Sequence, residues 1–147
     1  MTLLETIQTI EHVAAAQPAV RSIVRQDVYR LNGARDVRYG VFAWVQGEHA
    51  YTPDSWCNRY RFSFFYIDRL RADTANEAEV QSVGIDTLRN ILQTLPEEWE
   101  VSEASFTPFA YRFADDCAGV WASVTLDVPA DTPCGVTYET NEIQIIQ

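Results

Sequence analysis

Tyr60-Arg61-Phe62-Ser63-Phe64-Phe65-Tyr66-Ile67, the polar run from Asp68 to Ala75, and the stretch from Asn76 to Leu95 together decide the reading of this chain. Tyr60, Phe62, Phe64 and Tyr66 alternate with Arg61, Ser63, Phe65 and Ile67, which is the two-residue period of a β-strand with one strongly apolar face. The opposite face turns apolar only toward its later end. Asn76 offers a side-chain oxygen to the first free amides of a helix, and Glu79 follows at the spacing of a capping box. Val80, Val83, Leu88, Ile91, Leu92 and Leu95 then recur mostly at helical spacing until Pro96 ends the run. A helix with that stripe needs an apolar surface to cover, and the aromatic strand face is the nearest. The two are expected to form the nucleus of the fold.

A chain of 147 residues has the usual size of one domain and buries roughly two-thirds of its unfolded surface. Its 47% hydrophobic and 12% aromatic content belongs to a folded protein. No apolar run reaches a membrane span of ~18 residues, and no basic, apolar and cleavage segments open the chain. It reads as soluble and unexported. The net charge of −10 repels phosphates, so direct nucleic-acid binding is not expected. Arg59, Arg61, Arg69 and Arg71 read as solvated or ion-paired. Cys57, Cys117 and Cys134 lack the close spacings of a zinc site, and read as thiols or at most one conditional disulfide.

Working outward, Thr2-Leu3-Leu4-Glu5 predicts a second capping box, with Ile7, Ile10, Val13 and Ala14 on one helical face and a stop near Gln17 before Pro18. Val20 to Val24 suits an edge strand. Asp27 to Gly33 reads either as a helical turn or as another short strand. Val37 to Gln46 predicts a strand apolar on both faces, either central or an edge covered by another subunit. Gly47 to Asn58 reads as a loop in which Tyr51 and Trp56 either anchor the loop or face a partner. Beyond the central helix, Trp99 to Ser105 predicts a short strand, interrupted at Thr107-Pro108. Tyr111 and Phe113 resume the alternation before a break at Asp115-Asp116. Val120, Ala122, Val124, Leu126 and Val128 form the inward face of the last clear strand, which ends at Pro129.

The expectation is a single α+β domain over residues 1–129: a mainly antiparallel sheet of about four to six strands, with an N-terminal helix and a long central helix on one face. Residues 130–147 form a polar arm with a β-prone apolar tip. That arm is a frayed end, a further strand of the same sheet, or a strand added to a neighbouring copy.

The search for chemistry returns little. His12 and His49 have no catalytic or metal-binding spacing, and Asp115-Asp116 and Asp68 with Asp73 suit turns better than dyads. The glycines make no phosphate loop, whereas Gly84 inside the helix suits close helix packing. No catalytic residue, cofactor or metal is expected. Abundant tyrosine, tryptophan and arginine favour a binding surface.

The order of elements is similar to one known class. An N-terminal helix precedes Asp27 to Asn32 and the strand Tyr39-Gly40-Val41-Phe42. The aromatic strand Tyr60 to Leu70, the helix from Asn76 through Ile85, and the strings Phe113 to Val120 and Val124 to Pro129 follow. This arrangement resembles small structural proteins of tailed phages and prophages, and more narrowly tail terminator or tail completion proteins, including those carried by phages and mobile elements of Bacteroides-like bacteria. The resemblance implies an antiparallel sheet with helices on one face, and copies joined in a ring at the tail end or neck. It implies neighbouring tail or neck proteins as partners, a place in the virion, and the host cytoplasm before assembly. Candidate contact residues under that reading are His49, Tyr51, Trp56 and Arg59, with Ile143, Ile145 and Ile146 in the arm. A cellular adaptor or inhibitor binding one protein partner is the second class, and an enzyme with a dispersed site the third.

Overall fold

The computed structural model describes residues 1–27, 37–71, 76–110 and 116–130, with positions 142, 144 and 146 of the arm. In chain order the elements are α1 (Leu3–Ala15), β1 (Ser22–Arg25), β2 (Val41–Gln46), β3 (Ala50–Thr52), β4 (Cys57–Arg69), α2 (Glu77–Thr94), β5 (Glu100–Ala110) and β6 (Cys117–Pro129). They form one six-stranded sheet in the order β1-β2-β4-β6-β5, with β3 also paired to β4. Every pairing is antiparallel except β1 with β2. The chain is an α+β protein with its N-terminal and central helices on one face of a mainly antiparallel sheet.

β4 and β6 run side by side over their full lengths, from Cys57 opposite Pro129 to Arg69 opposite Cys117. Their shared helix-side face carries Tyr60, Phe62, Phe64 and Tyr66 beside Val120, Ala122, Val124, Leu126 and Val128, all buried. α2 lies across this face with Val80, Leu88, Ile91 and Leu95 buried against it. At Gly84 an added Cβ would stand 3.0 Å from both the Tyr66 ring and a Val120 methyl, so the close approach explains the glycine. α1 packs Ile10, Val13 and Ala14 into the same core and opens with the predicted Thr2/Glu5 capping box.

Five details differ from expectation. Val83, expected in the apolar stripe of α2, is 42% exposed, because Val80, Gly84, Thr87, Leu88 and Ile91 form the buried face and leave Val83 beside it. Asn76 is the N-cap of α2, but its side chain makes no cap bond; its Oδ1 instead accepts from the Arg71 backbone N–H at 2.8 Å, tying β4's exit to the helix start. β2 begins only at Val41, because Gly40 (φ 57) turns the chain where a side chain would strike the Ala19 carbonyl. β5 continues unbroken through Pro108, and its irregularity lies earlier, between Val101 and Glu103. An edge strand places only alternate N–H groups in the ladder, so a proline can sit within it. Finally, part of the expected loop 47–58 is strand: β3 and the start of β4 form a hairpin arm. The ambiguous stretch after Asp27, Tyr111 and Phe113, and most of the arm, lie outside the described residues.

Candidate assembly interface

The arm formed by β3 and β4 projects the most exposed aromatic groups among the described residues, and a bulge makes it. β2 pairs with β4 as far as Gln46 opposite Phe62, and β3 resumes with Ala50 opposite Arg59. Gly47, Glu48 and His49 therefore face only Arg61 and Tyr60, the extra residue of a β-bulge. His49 repairs the broken ladder. Its Nδ1 accepts the Arg61 backbone N–H at 3.2 Å, which places the ring proton on Nε2, 2.9 Å from Gln46 Oε1. The ring stands edge-on to Tyr60, with centroids 5.1 Å apart. Gly47 donates to the Arg61 carbonyl at 2.7 Å, and the Arg61 guanidinium donates to the Glu48 carbonyl at 3.3 Å. Burial, then the nearby Arg61 charge, hold the His49 pKa below its ordinary value. His49 thus positions the hairpin arm and works from within the fold.

At the tip, Tyr51 is 50% exposed and Trp56 is 58% exposed. Trp56 takes a positive φ of 54° and accepts the Ala130 N–H at 2.8 Å, so the tip is fastened to the end of β6. Arg59 forks onto Asp127 directly across the ladder, Nε to Oδ1 at 2.9 Å and Nη2 to Oδ2 at 3.2 Å. The Arg59 bonds hold Asp127 below the usual carboxylate range, and Arg59 is committed within the chain. Ile146 is 87% exposed, whereas Ile143 and Ile145 lie outside the described residues. The structure thus joins Tyr51 and Trp56 on one rim, and gives His49 and Arg59 internal partners.

Three further features escaped the sequence reading as contact candidates. On the helix-free face Phe65 and Trp121 lie stacked at 6.3 Å, with Trp121 37% exposed. Its polar-side position in β6 was readable; its pairing with Phe65 depends on the register. Leu4, off the apolar stripe of α1, is 63% exposed. It borders a groove of about 240 Å³ shared with Ile7, Gln8, Glu11, Arg25, Gln26 and Trp44. The third feature is the step in the sheet edge beside that groove. β1 covers β2 only from Val41 to Trp44, and Gln26 (φ 64) then turns the chain aside. Among the described residues, no strand pairs with the outer side of Val45, Gln46 or β3.

Among the described residues, no three His, Cys, Asp or Glu side chains gather as a metal site would require. The Tyr66 hydroxyl, 3.4 Å from Asp68, is pushed up to about 12 by burial and then by the Asp68 charge, the opposite of what an active phenolate needs. Cys57 carries a free thiol, and Cys117 is buried. No helix among the described residues is long and apolar enough to cross a membrane. No protein-family model matches the chain, and no curated protein matches it either.

Proposed function

We propose that this chain is a non-enzymatic structural subunit of a tailed phage or prophage, closing into a ring that terminates or completes the tail at its end or neck. The supporting observation is where the apolar surface lies. The helices roof one face of the sheet, while most of the large apolar side chains exposed among the described residues (Leu4, Tyr51, Trp56, Val101 and Trp121) stand on the rims and the open face, with Val83 on the outside of α2. Such a rigid slab with distinct sticky borders suits heterologous contacts that repeat from copy to copy. The element order of the resembling class supports the phage setting, and the charge of −10 argues for protein partners over nucleic acid. Under this reading the partners are other copies and adjoining tail or neck proteins. The protein resides in the virion and, before assembly, in the host cytoplasm.

Electron microscopy of purified virions carrying the labelled protein tests the proposal. Label at the tail end or neck is expected. Its absence from every head, neck and tail assembly, with recovery in a soluble complex with one cellular protein, would replace this reading with that of an adaptor.

A further inference from the structure

We propose that the C-terminal arm of one copy adds as a strand to the stepped sheet edge of the next, with Ile143 and Ile145 over the groove beside α1. The acceptor combines two features that an extended peptide requires. One is backbone without a described partner along Val45, Gln46 and β3. The other is an apolar floor on the helix side, where Leu4, Ile7 and Trp44 border a groove of about 240 Å³. Strand addition uses both, the main chain for affinity and alternate side chains for selection.

The donor is suggested by its sequence and its reach. Ile143-Gln144-Ile145-Ile146 puts Ile143 and Ile145 on one side of an extended strand. Beyond β6, Ala130 donates its N–H to the Trp56 carbonyl at the hairpin tip. From there residues 131–147 reach roughly 55 Å when extended, enough to cross to a neighbour. Within one chain Ile146 is 87% exposed. Donor and acceptor are different surfaces, so the contact is heterologous and every copy both gives and receives. This inference names the self-contact that the assembly reading leaves unspecified, and it needs no phage partner.

The experiment uses three full-length proteins: the natural chain, an arm variant (Ile143→Asp with Ile145→Asp) and a groove variant (Leu4→Glu). Leu4 is 63% exposed, so its substitution spares the core, and circular dichroism confirms that both variants fold. In analytical ultracentrifugation the natural chain should self-associate as concentration rises, and each variant alone should weaken that association at least tenfold. Mixing the two variants should restore one contact per pair, giving a dimer of one arm variant with one groove variant and nothing larger. A natural chain that stays monomeric at millimolar concentration would overturn the inference. So would variants that associate as the natural chain does, or that fail to complement when mixed. Because no virion is involved, these failures are separate from those of the phage proposal, which the label in virions alone decides.

Discussion

The two faces of the β4–β6 pair share strands and register yet differ in almost everything else. On the helix side, Phe62, Phe64, Tyr66, Val124 and Leu126 are at most 2% exposed. On the other side the same strands present Arg61, Ser63, Phe65, Trp121 and Ser123, of which Trp121 is 37% exposed. The contrast is graded along the strands. Toward the β4 C-terminus the open face also closes, with Val41, Ala43, Ile67 and Cys117 fully buried. One face therefore carries the stability of the fold, and the hairpin half of the other is free to meet a second surface. A single strand pair can supply both because side chains alternate strictly across a sheet.

The largest expected effect tests that division directly. Phe64→Ala, at a fully buried ring packed against Phe42 and Phe62, should cost about 3–5 kcal/mol in urea unfolding. Trp121→Ser on the open face should change monomer stability by no more than about 1 kcal/mol. Comparable losses at the two positions would mean that the open face is part of the core in solution, and the contrast would fall.

An intermediate effect lies at the border between α1 and the sheet edge. Trp44 is only 3% exposed, and its indole N–H donates to Glu11 Oε2 at 2.9 Å, while Arg25 forks onto the same carboxylate at 2.7 and 2.9 Å. Burial pulls the Glu11 pKa upward, but the bonds from Arg25 and Trp44 outweigh it, and the net value is below the usual carboxylate range. Glu11→Ala leaves a buried donor unpaired and should cost about 1–3 kcal/mol. Because the folded pKa is the lower one, this stabilisation is complete above the unfolded value of 4.5 and is lost as pH falls through the folded value. The variant should therefore show a shallower acid limb than the natural chain. An unchanged acid limb would show that the Glu11 cluster contributes nothing to folding.

Much of the fold was legible because local pattern and tertiary packing agree. The alternation of Tyr60 to Tyr66, the Thr2/Glu5 cap and the inward face Val120 to Val128 each announce the surface they bury. Gly84 was readable too, since its cost to an isolated helix demanded a close neighbour. Asn76 misled because a side chain able to cap a helix is equally able to bind other backbone groups, and here Arg71 offers the nearer one. The candidate interface was less legible. Tyr51 and Trp56 stood out as large aromatics in a polar stretch, but the roles of His49 and Arg59 depend on strand register. Only register puts Asp127 opposite Arg59, or the Arg61 amide beside the His49 ring. The stepped edge is invisible in sequence, because it depends on where β1 stops relative to β2.

The smallest expected effect concerns how firmly the hairpin arm is held to the stable half. His49 accepts the Arg61 N–H through Nδ1, so protonating that nitrogen removes an acceptor from the ladder at its weakest point. Burial and the Arg61 charge lower the folded pKa below 6.5. Between the folded value and 6.5 the unfolded chain binds more protons, so stability falls as pH is lowered through that window and then levels off. The ring is partly solvated, which limits the change to no more than about 1 kcal/mol. Opening should be local, because the bulge interrupts β2–β3 and leaves the β4–β6 ladder intact. Hydrogen exchange between pH 7 and pH 5, corrected for the intrinsic pH dependence of exchange, should show lost protection at Arg61 and in β3 while Phe64 and Val124 stay protected. His49→Phe keeps an aromatic ring but has no acceptor, so it should show the low-pH pattern already at pH 7, with no further step on acidification. Equal protection of Arg61 at both pH values in the natural chain would mean that the bulge, not the imidazole, sets the position of the arm.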